Sequence, residues 1–322
     1  MIRKKEETVN QKINIAQNAN QKLQNIPLKK NEKMQKAYNV SSKLFKSKAE
    51  RVLTEEELRL LSKEVEEADI IVTTGSYDHA ETVFRALHVP HIVVNPSDIM
   101  NINLSPDKIL FVNCPGTGFG EEGLKKIKRF VASGGMLVTT DWALKNVLEP
   151  LFPEYVKYNG VKTADDVVKV KFNREEDSFF AKFIDEQDEP LWWLEVSSYP
   201  ITVLDPNRVK VLAYSDEMKR KYGESPIIIS FEYKLGIVYH MTSHLYLQRS
   251  DTRTARHKKV AIAYATEKGI DLKNLTEEEK KQLEELKLSE VESAYTSQVA
   301  INRMIYEQRK RVEERKKQQL KK

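Results

Sequence analysis

The sequence predicts an α/β protein, a doubly wound, mostly parallel sheet carrying helical extensions at both ends. Three observations predict it. Short, continuously apolar runs recur at Asp69–Thr74, His91–Val94, Lys108–Val112 and Met136–Thr140. The stretches between them have the apolar spacing of helices, as at Leu124, Ile127, Phe130 and Val131. Both ends are polar and basic, with only loose helical spacing. Strands without polar alternation need cover on both faces, and helices crossing over a parallel sheet supply it.

In order along the chain, residues 1–48 are rich in Asn, Gln and Lys, with weak apolar spacing at Ile13, Ile15, Leu23 and Ile26. That composition suits either a loose helix awaiting a partner or disorder. Thr54-Glu55-Glu56-Glu57 reads as a capping box, in which hydroxyl and carboxylate each satisfy an N–H of the first turn. Leu58, Leu61 and Val65 give the helix that follows one apolar face. The first strand, DIIVTT, ends at Gly75, and Ala80–Leu87 suits a helix. KILFV ends in Asn113-Cys114-Pro115-Gly116, and the Glu121–Ala132 helix stops at Ser133-Gly134-Gly135. Residues 160–205 read as an insertion with its own short strands: an alternating Val167–Phe172, an acidic stretch from Glu175 to Glu189, and Trp192-Trp193. If that pair is extended, one ring faces the core and the other a rim or interface. Strands follow at Val209–Tyr214, Pro226–Tyr233 and Gly236–Thr242, the last two joined as a hairpin through Lys234-Leu235-Gly236. A second capping box, Thr276-Glu277-Glu278-Glu279, precedes an apolar stripe at Leu288, Val291, Tyr295, Val299 and Ile305. The organisation expected is a basic extension at 1–52, an α/β domain at 53–250, and a helical extension at 251–322. No internal repeat is present.

Composition narrows the function classes. Of 322 residues, 40% are hydrophobic and 31% charged, and no apolar run approaches the roughly 18–20 residues that cross a bilayer. MIRKKEETVNQK is not followed by an apolar stretch, so no secretory signal is expected; Glu6 and Glu7 come early for a mitochondrial presequence. With a single cysteine, Cys114, neither an intramolecular disulfide nor a cysteine-based zinc site is expected, and a cytoplasmic setting is expected. The net charge of +5 is uneven. Residues 1–51 hold 13 Lys/Arg against 4 Glu and residues 306–322 hold 8 against 3, so the ends carry +9 and +5 and the rest −9. Such ends attract polyanions, RNA or an anionic surface, unless they are simply solvated faces.

Two segments resemble the class I glutamine amidotransferase-like superfamily, with a flavodoxin-like sheet. FVNCPGTGFGEEGLKKIKRFVASGGMLVTTDWAL (111–144) is similar to its unit of strand, Pro-Gly loop, helix, Gly-Gly turn, and a strand ending at a sharp elbow. GIVYHMTSHLYLQ (236–248) resembles its late, histidine-bearing strand; with DIIVTTGSYDH, the resemblance spans about residues 68–250. In active members a cysteine at the elbow attacks, a histidine with a carboxylate partner activates it, and N–H groups near the Pro-Gly loop hold the oxyanion. Carried over, Pro115-Gly116 matches the oxyanion loop and His244 the histidine. The elbow, Thr140-Asp141-Trp142, has no cysteine or serine, and Leu245-Tyr246 follows His244 in place of the Pro-Glu continuation. The resemblance therefore implies a degenerate member.

Polar residues remain at the expected strand ends, and sites in such sheets lie in the crevice beyond those ends. The crevice expected here comprises Gly75 and Ser76; Asn113, Cys114, Pro115, Gly116 and Thr117; Asp141 and Trp142; and His240 and His244. Cys114 stands on the wrong strand end to replace the nucleophile and reads as a buried structural thiol, the alternative being a reactive one. Asp78, His79, Asp141 and His244 are candidates for acid–base or metal-assisted hydrolysis, or for a residual hydrogen-bonded remnant. His240 and His244, four apart on a strand, would lie roughly 13 Å apart, too far to share a metal. The glycine-rich 113–120 segment lacks the P-loop and dinucleotide patterns, although a phosphate would find N–H groups near Gly116–Gly120. The leading expectation is a non-catalytic binding or scaffold module that docks protein partners, with no cofactor or metal. A hydrolase-like enzyme stands second. A nucleic-acid-associated protein, binding backbone phosphates through its ends, stands third.

Overall fold

The computed structural model describes residues 32–62 and 69–320. The spacing at Ile13, Ile15, Leu23 and Ile26, and the Val65 end of the first capped helix, lie outside them. The strands are β1 (Ile70–Thr73), β2 (Ile92–Val94), β3 (Ile109–Val112), β4 (Met136–Thr140), β5 (Val156–Tyr158) and β6 (Asp166–Lys169). They continue with β7 (Lys171–Phe172), β8 (Leu191–Leu194), β9 (Ile201–Val203), β10 (Val209–Tyr214), β11 (Pro226–Tyr233) and β12 (Gly236–Met241).

Eight of them form one sheet in the order β2-β1-β3-β4-β12-β11-β10-β7. The β2-β1-β3-β4-β12 half is parallel throughout, and the pairs beyond β12 are antiparallel. The α/β class is as expected, and so is the β11–β12 hairpin, whose turn residue Lys234 has φ 54°. The insertion differs in part from expectation. Its alternating segment splits, so that β6 pairs with β8 while β7 joins the edge of the main sheet. Trp192 is buried and donates to Thr296 Oγ1 at 3.0 Å, whereas Trp193 lies nearer solvent and donates to Asp165.

Alternation along the parallel strands divides the core into two layers, which is why their sequence reads as apolar without a break. Ile70, Val72, Ile109, Phe111, Met136, Val138 and Tyr239 face the layer made by the helices Glu32–Val52, Ala80–Ala86 and Leu288–Gln319. Ile71, Leu110, Val112, Leu137 and Val238 face the helix Gly120–Ala132 and the helical stretch 144–151. Both capping boxes form: the Glu57 and Glu279 N–H groups each lie 3.3 Å from a threonine hydroxyl.

The helices Glu32–Val52 and Leu288–Gln319 thus supply much of one layer of the core. From Glu32–Val52, Met34, Tyr38, Leu44 and Phe45 are buried, which at 1.5–3 kcal/mol each is roughly 6–12 kcal/mol of gross apolar stabilisation. Ser41 Oγ donates to Gln298 of the long C-terminal helix at 2.8 Å. The expected stripe of Leu288, Val291, Tyr295, Val299 and Ile305 is buried throughout. From the same helix Gln308 Nε2 donates to the carbonyls of Pro106, Lys108 and Gly134, fixing the approaches to β3 and β4.

Candidate functional site

Because β1, β3, β4 and β12 are parallel, their carboxyl ends open on one edge of the sheet. The chain leaves β1 toward β2 on one side and reaches β3 on the other, so a crevice opens between β1 and β3. Here it is closed by contact. Ser76 N–H donates to Cys114 O at 3.0 Å, and a Cβ on Gly75 would lie 2.3 Å from that same oxygen. Only glycine admits so close a backbone approach.

The elbow after β4 is formed as the resemblance implies, with Asp141 at its tip and φ of 45°. Asp141 N–H donates to Met241 O at 2.8 Å, extending the ladder with β12, and its own carbonyl accepts from Leu144 N at 2.9 Å. A left-handed backbone costs most side chains about 1–2 kcal/mol, and aspartate is among those that tolerate it. The carboxylate is taken up by the insertion. Oδ1 accepts the Tyr199 N–H at 2.8 Å and Oδ2 accepts the Ser198 hydroxyl at 3.3 Å.

Three side chains from three strand ends meet at this point. Cys114, Asp141 and His244 are 1%, 2% and 2% exposed, and one ligand-type atom from each lies within 4.8 Å of the others. Cys114 Sγ is 3.8 Å from Asp141 Oδ2, and His244 Nε2 is 3.5 Å from the same oxygen. His244 Nδ1 lies 3.1 Å from Glu195 Oε2, and the Trp193 ring stands edge-on to the imidazole. Burial lowers the His244 pKa, but Asp78, Asp141, Cys114 and Glu195 together hold it well above the ordinary value. Burial pushes the Cys114 thiol up to about 11, with the Asp141 charge adding to it, against weaker pulls from His244 and the Trp142 backbone. Asp141 is also raised, by burial over the favourable pull of His244.

The remaining expected residues divide into those near this cluster and those set apart. Asp78 is buried beside it, accepting from His79 N and, at 3.4 Å, from Leu245 N. His79 turns away to Glu81, with Nδ1 at 3.2 Å from Oε1, and the Glu81 bond keeps its pKa raised. Asn113 holds the start of the Ala80–Ala86 helix, accepting from Ala80 N and donating to Glu81 Oε2. His240 does not join the cluster. It is a core residue, Nδ1 2.8 Å from Thr139 Oγ1, and burial lowers its pKa to about 3. Ser76 and Thr117 are exposed at the rim. Pro115 follows a cis peptide, and the Gly116 N–H, a matched oxyanion donor, is spent on Asn113 O at 2.9 Å. The phosphate alternative meets Glu121 and Glu122 in the first turn of the Gly120–Ala132 helix, where acidic side chains repel an anion.

Sequence reasoning missed Glu81, Glu195, Ser198 and Tyr199. Glu81 reads as an ordinary first-turn helix acid, and nothing in the spacing of residues 160–205 says that Glu195–Tyr199 returns over the elbow. Tyr199 of the insertion completes an aromatic wall: Trp142 stacks on Tyr199 at 5.5 Å, Tyr199 on Tyr158 at 4.0 Å, and Tyr77 meets Trp142 edge-on. Trp142 Nε1 fastens the wall to Ser197 O at 2.7 Å.

No family model and no curated protein matches the chain. Among solved structures it is similar to a glutamine amidotransferase from Thermotoga maritima, with 15% identity and a TM-score of 0.40 over 73% of this chain and 97% of that one. It is also similar to a β-galactosidase from Bacillus circulans sp. alkalophilus, at 15% identity and TM-score 0.36 over 58% of this chain and 31% of that one. A cytoplasmic protein from Salmonella typhimurium LT2 matches at 13% identity and TM-score 0.39, over 54% of this chain and 88% of that one. The chain spans less than a third of the length of the β-galactosidases and the mannosidase it matches, 27% and 31% for two of them. At these scores the likenesses carry nothing about activity. No helix among the described residues is long and apolar enough to cross a membrane.

Proposed function

We propose that this chain is a non-catalytic binding module, a scaffold subunit of a larger assembly, built as a degenerate amidotransferase-like domain. One observation carries the reading: the elbow tip holds Asp141, buried, with its carboxylate bonded to Tyr199 and Ser198 of the insertion. An attacking group needs an accessible, activated atom at that tip. The surroundings agree. Cys114 is a buried thiol with its pKa raised, the matched oxyanion donor Gly116 N–H is internally bonded, and His244 is enclosed by Asp78, Asp141 and Glu195.

The test is a turnover assay on the full chain with glutamine and a panel of small esters and amides, for the parent and Asp141→Cys. Neither is expected to release ammonia or hydrolyse the panel. Turnover by the parent that disappears in Asp141→Ala or His244→Ala would refute the reading and favour the hydrolase alternative. That alternative has one observation in its favour, the side-by-side placement of Asp141 and His244. The assembly role is tested by the native mass of the chain in cell extract; migration at 37.3 kDa alone would count against it.

A further inference from the structure

We infer that Cys114, Asp141 and His244 form a binding site for a thiophilic divalent cation of the zinc class, with Cys114 Sγ, Asp141 Oδ2 and His244 Nε2 as ligands. The inference deepens the binding-module reading by naming what the closed crevice holds. Its first support is chemical: one thiol, one carboxylate and one imidazole make a mixed set that suits zinc or cobalt and is foreign to magnesium or calcium.

The second support is distance. Ligand bonds of about 2.0–2.3 Å in a tetrahedron place ligand atoms roughly 3.3–3.7 Å apart. The observed separations are 3.5 Å for Nε2 to Oδ2 and 3.8 Å for Sγ to Oδ2, with all three atoms within 4.8 Å. The third separation, no more than 4.8 Å, needs a shift of at most about an ångström to reach that range.

The third support is the state of the His244 ring. His244 is buried, and neither ring nitrogen makes a hydrogen bond of acceptable geometry. A fully enclosed imidazole without a bond costs about 1–3 kcal/mol. One unmet nitrogen, Nε2, faces Asp141 and Cys114; the other, Nδ1, faces Glu195 Oε2 at 3.1 Å. A carboxylate behind the second nitrogen is the arrangement that orients a metal-bound histidine. Asp141 divides its oxygens: Oδ1 stays with Tyr199 N–H, while Oδ2, which also accepts from Ser198 Oγ, faces Cys114 Sγ and His244 Nε2. With three side-chain ligands the fourth position falls to water, and Ser198 Oγ stands beside the Asp141 Oδ2 ligand at 3.3 Å. Binding would displace the thiol proton, and any proton on His244 Nε2, to solvent.

The experiment uses the full chain and Co²⁺, both with purified protein and after refolding with the ion present. The expected result is about one cobalt per chain, a thiolate-to-cobalt charge-transfer band in the near ultraviolet and visible bands of tetrahedral strength, all displaced by Zn²⁺. Cys114→Ser should lose the charge-transfer band. Glu195→Gln should keep it and weaken affinity by about 10–100-fold. No retained cobalt, or a spectrum without the thiolate band, overturns the inference; both readouts come from the parent chain and do not depend on a variant folding. A metal-loaded chain that turns over esters or amides would refute the non-catalytic reading and leave the site standing. A chain that binds no metal and turns nothing over would do the reverse.

Discussion

Replacing Asp141 with alanine and, separately, with asparagine separates what its carboxylate does from what its backbone does. Alanine at φ 45° loses the left-handed tolerance of aspartate, worth about 1 kcal/mol. It strands the Tyr199 N–H, now bonded at 2.8 Å, for about 1–3 kcal/mol more. It also deprives His244 of a buried partner, a loss of about 3–5 kcal/mol when one member of such a pair is removed. These contributions share atoms and do not add in full, so about 4–6 kcal/mol is the expected total. Asparagine tolerates the backbone and still accepts from Tyr199, so it shares with alanine only the third contribution, the lost charge opposite His244. The assay is urea unfolding in the presence of a chelator, followed by tryptophan fluorescence and circular dichroism, with midpoints compared at equal slope. Alanine should fall below asparagine by at least about 2 kcal/mol. Midpoints that agree within about 0.5 kcal/mol would show that neither the turn nor the Tyr199 bond matters, and the account of the elbow would be wrong.

Three further outcomes are expected. Gly236→Ala would bring a Cβ to 2.0 Å from Val131 O and 2.4 Å from Gly135 O, both backbone atoms, so a loss of about 2–3 kcal/mol or more should appear in the same unfolding assay. Glu292 concerns pH. Burial and the Asp188 charge push its carboxyl up to about 8, over the pull of Arg256, whereas in the unfolded chain it titrates near 4.3. The folded chain then binds the proton more tightly, so this group's contribution falls as pH rises from about 4.3 to about 8 and is level above. Glu292→Gln should flatten that window in a series of thermal midpoints; an unchanged pH profile would show that the carboxyl does not titrate there. Polyanion affinity, if present, should depend on residues 1–31, with 7 Lys/Arg against 2 Glu, more than on the C-terminal helix. Arg309, Arg311 and Arg315 of that helix already donate to the carbonyls of Leu60, Leu235 and Pro106. Salt-dependent retention on heparin by a chain lacking residues 1–31 would contradict this.

The parallel half of the sheet was legible because burial on both faces leaves a local mark, an unbroken apolar run between turn signals, at β1, β3 and β4. The elbow was legible for the same reason, as the point where such a run stops at Thr140-Asp141-Trp142. What stayed hidden is non-local. His240 and Thr139 sit on adjacent strands, and only the register of β12 with β4 shows that they satisfy each other in the core. Glu195 and Ser198 lie more than fifty residues from the elbow, so no spacing rule relates them to Asp141. The Glu32–Val52 helix was hidden in a stretch that reads by its Asn, Gln and Lys content, and its buried face includes Ser41 and Lys48, polar residues whose partners, Gln298 and Asp185, come from distant segments.

The elbow is held by more than its backbone. Asp141 joins three parts of the fold through separate atoms. Its N–H extends the ladder to Met241, its carbonyl starts the helical stretch at Leu144, and its carboxylate holds the insertion at Ser198 and Tyr199. A cysteine at the same tip would keep the first two links, which are backbone, and lose the third. The insertion would then lack its buried anchor, and Glu195, three residues before Ser198, would lose its fixed place against His244. The Asp141 side chain is therefore what closes the insertion over the elbow. Closure in turn brings Glu195 behind the histidine whose other nitrogen faces Asp141 and Cys114. Anchoring of the insertion and enclosure of the three-residue cluster are, in physical terms, one arrangement.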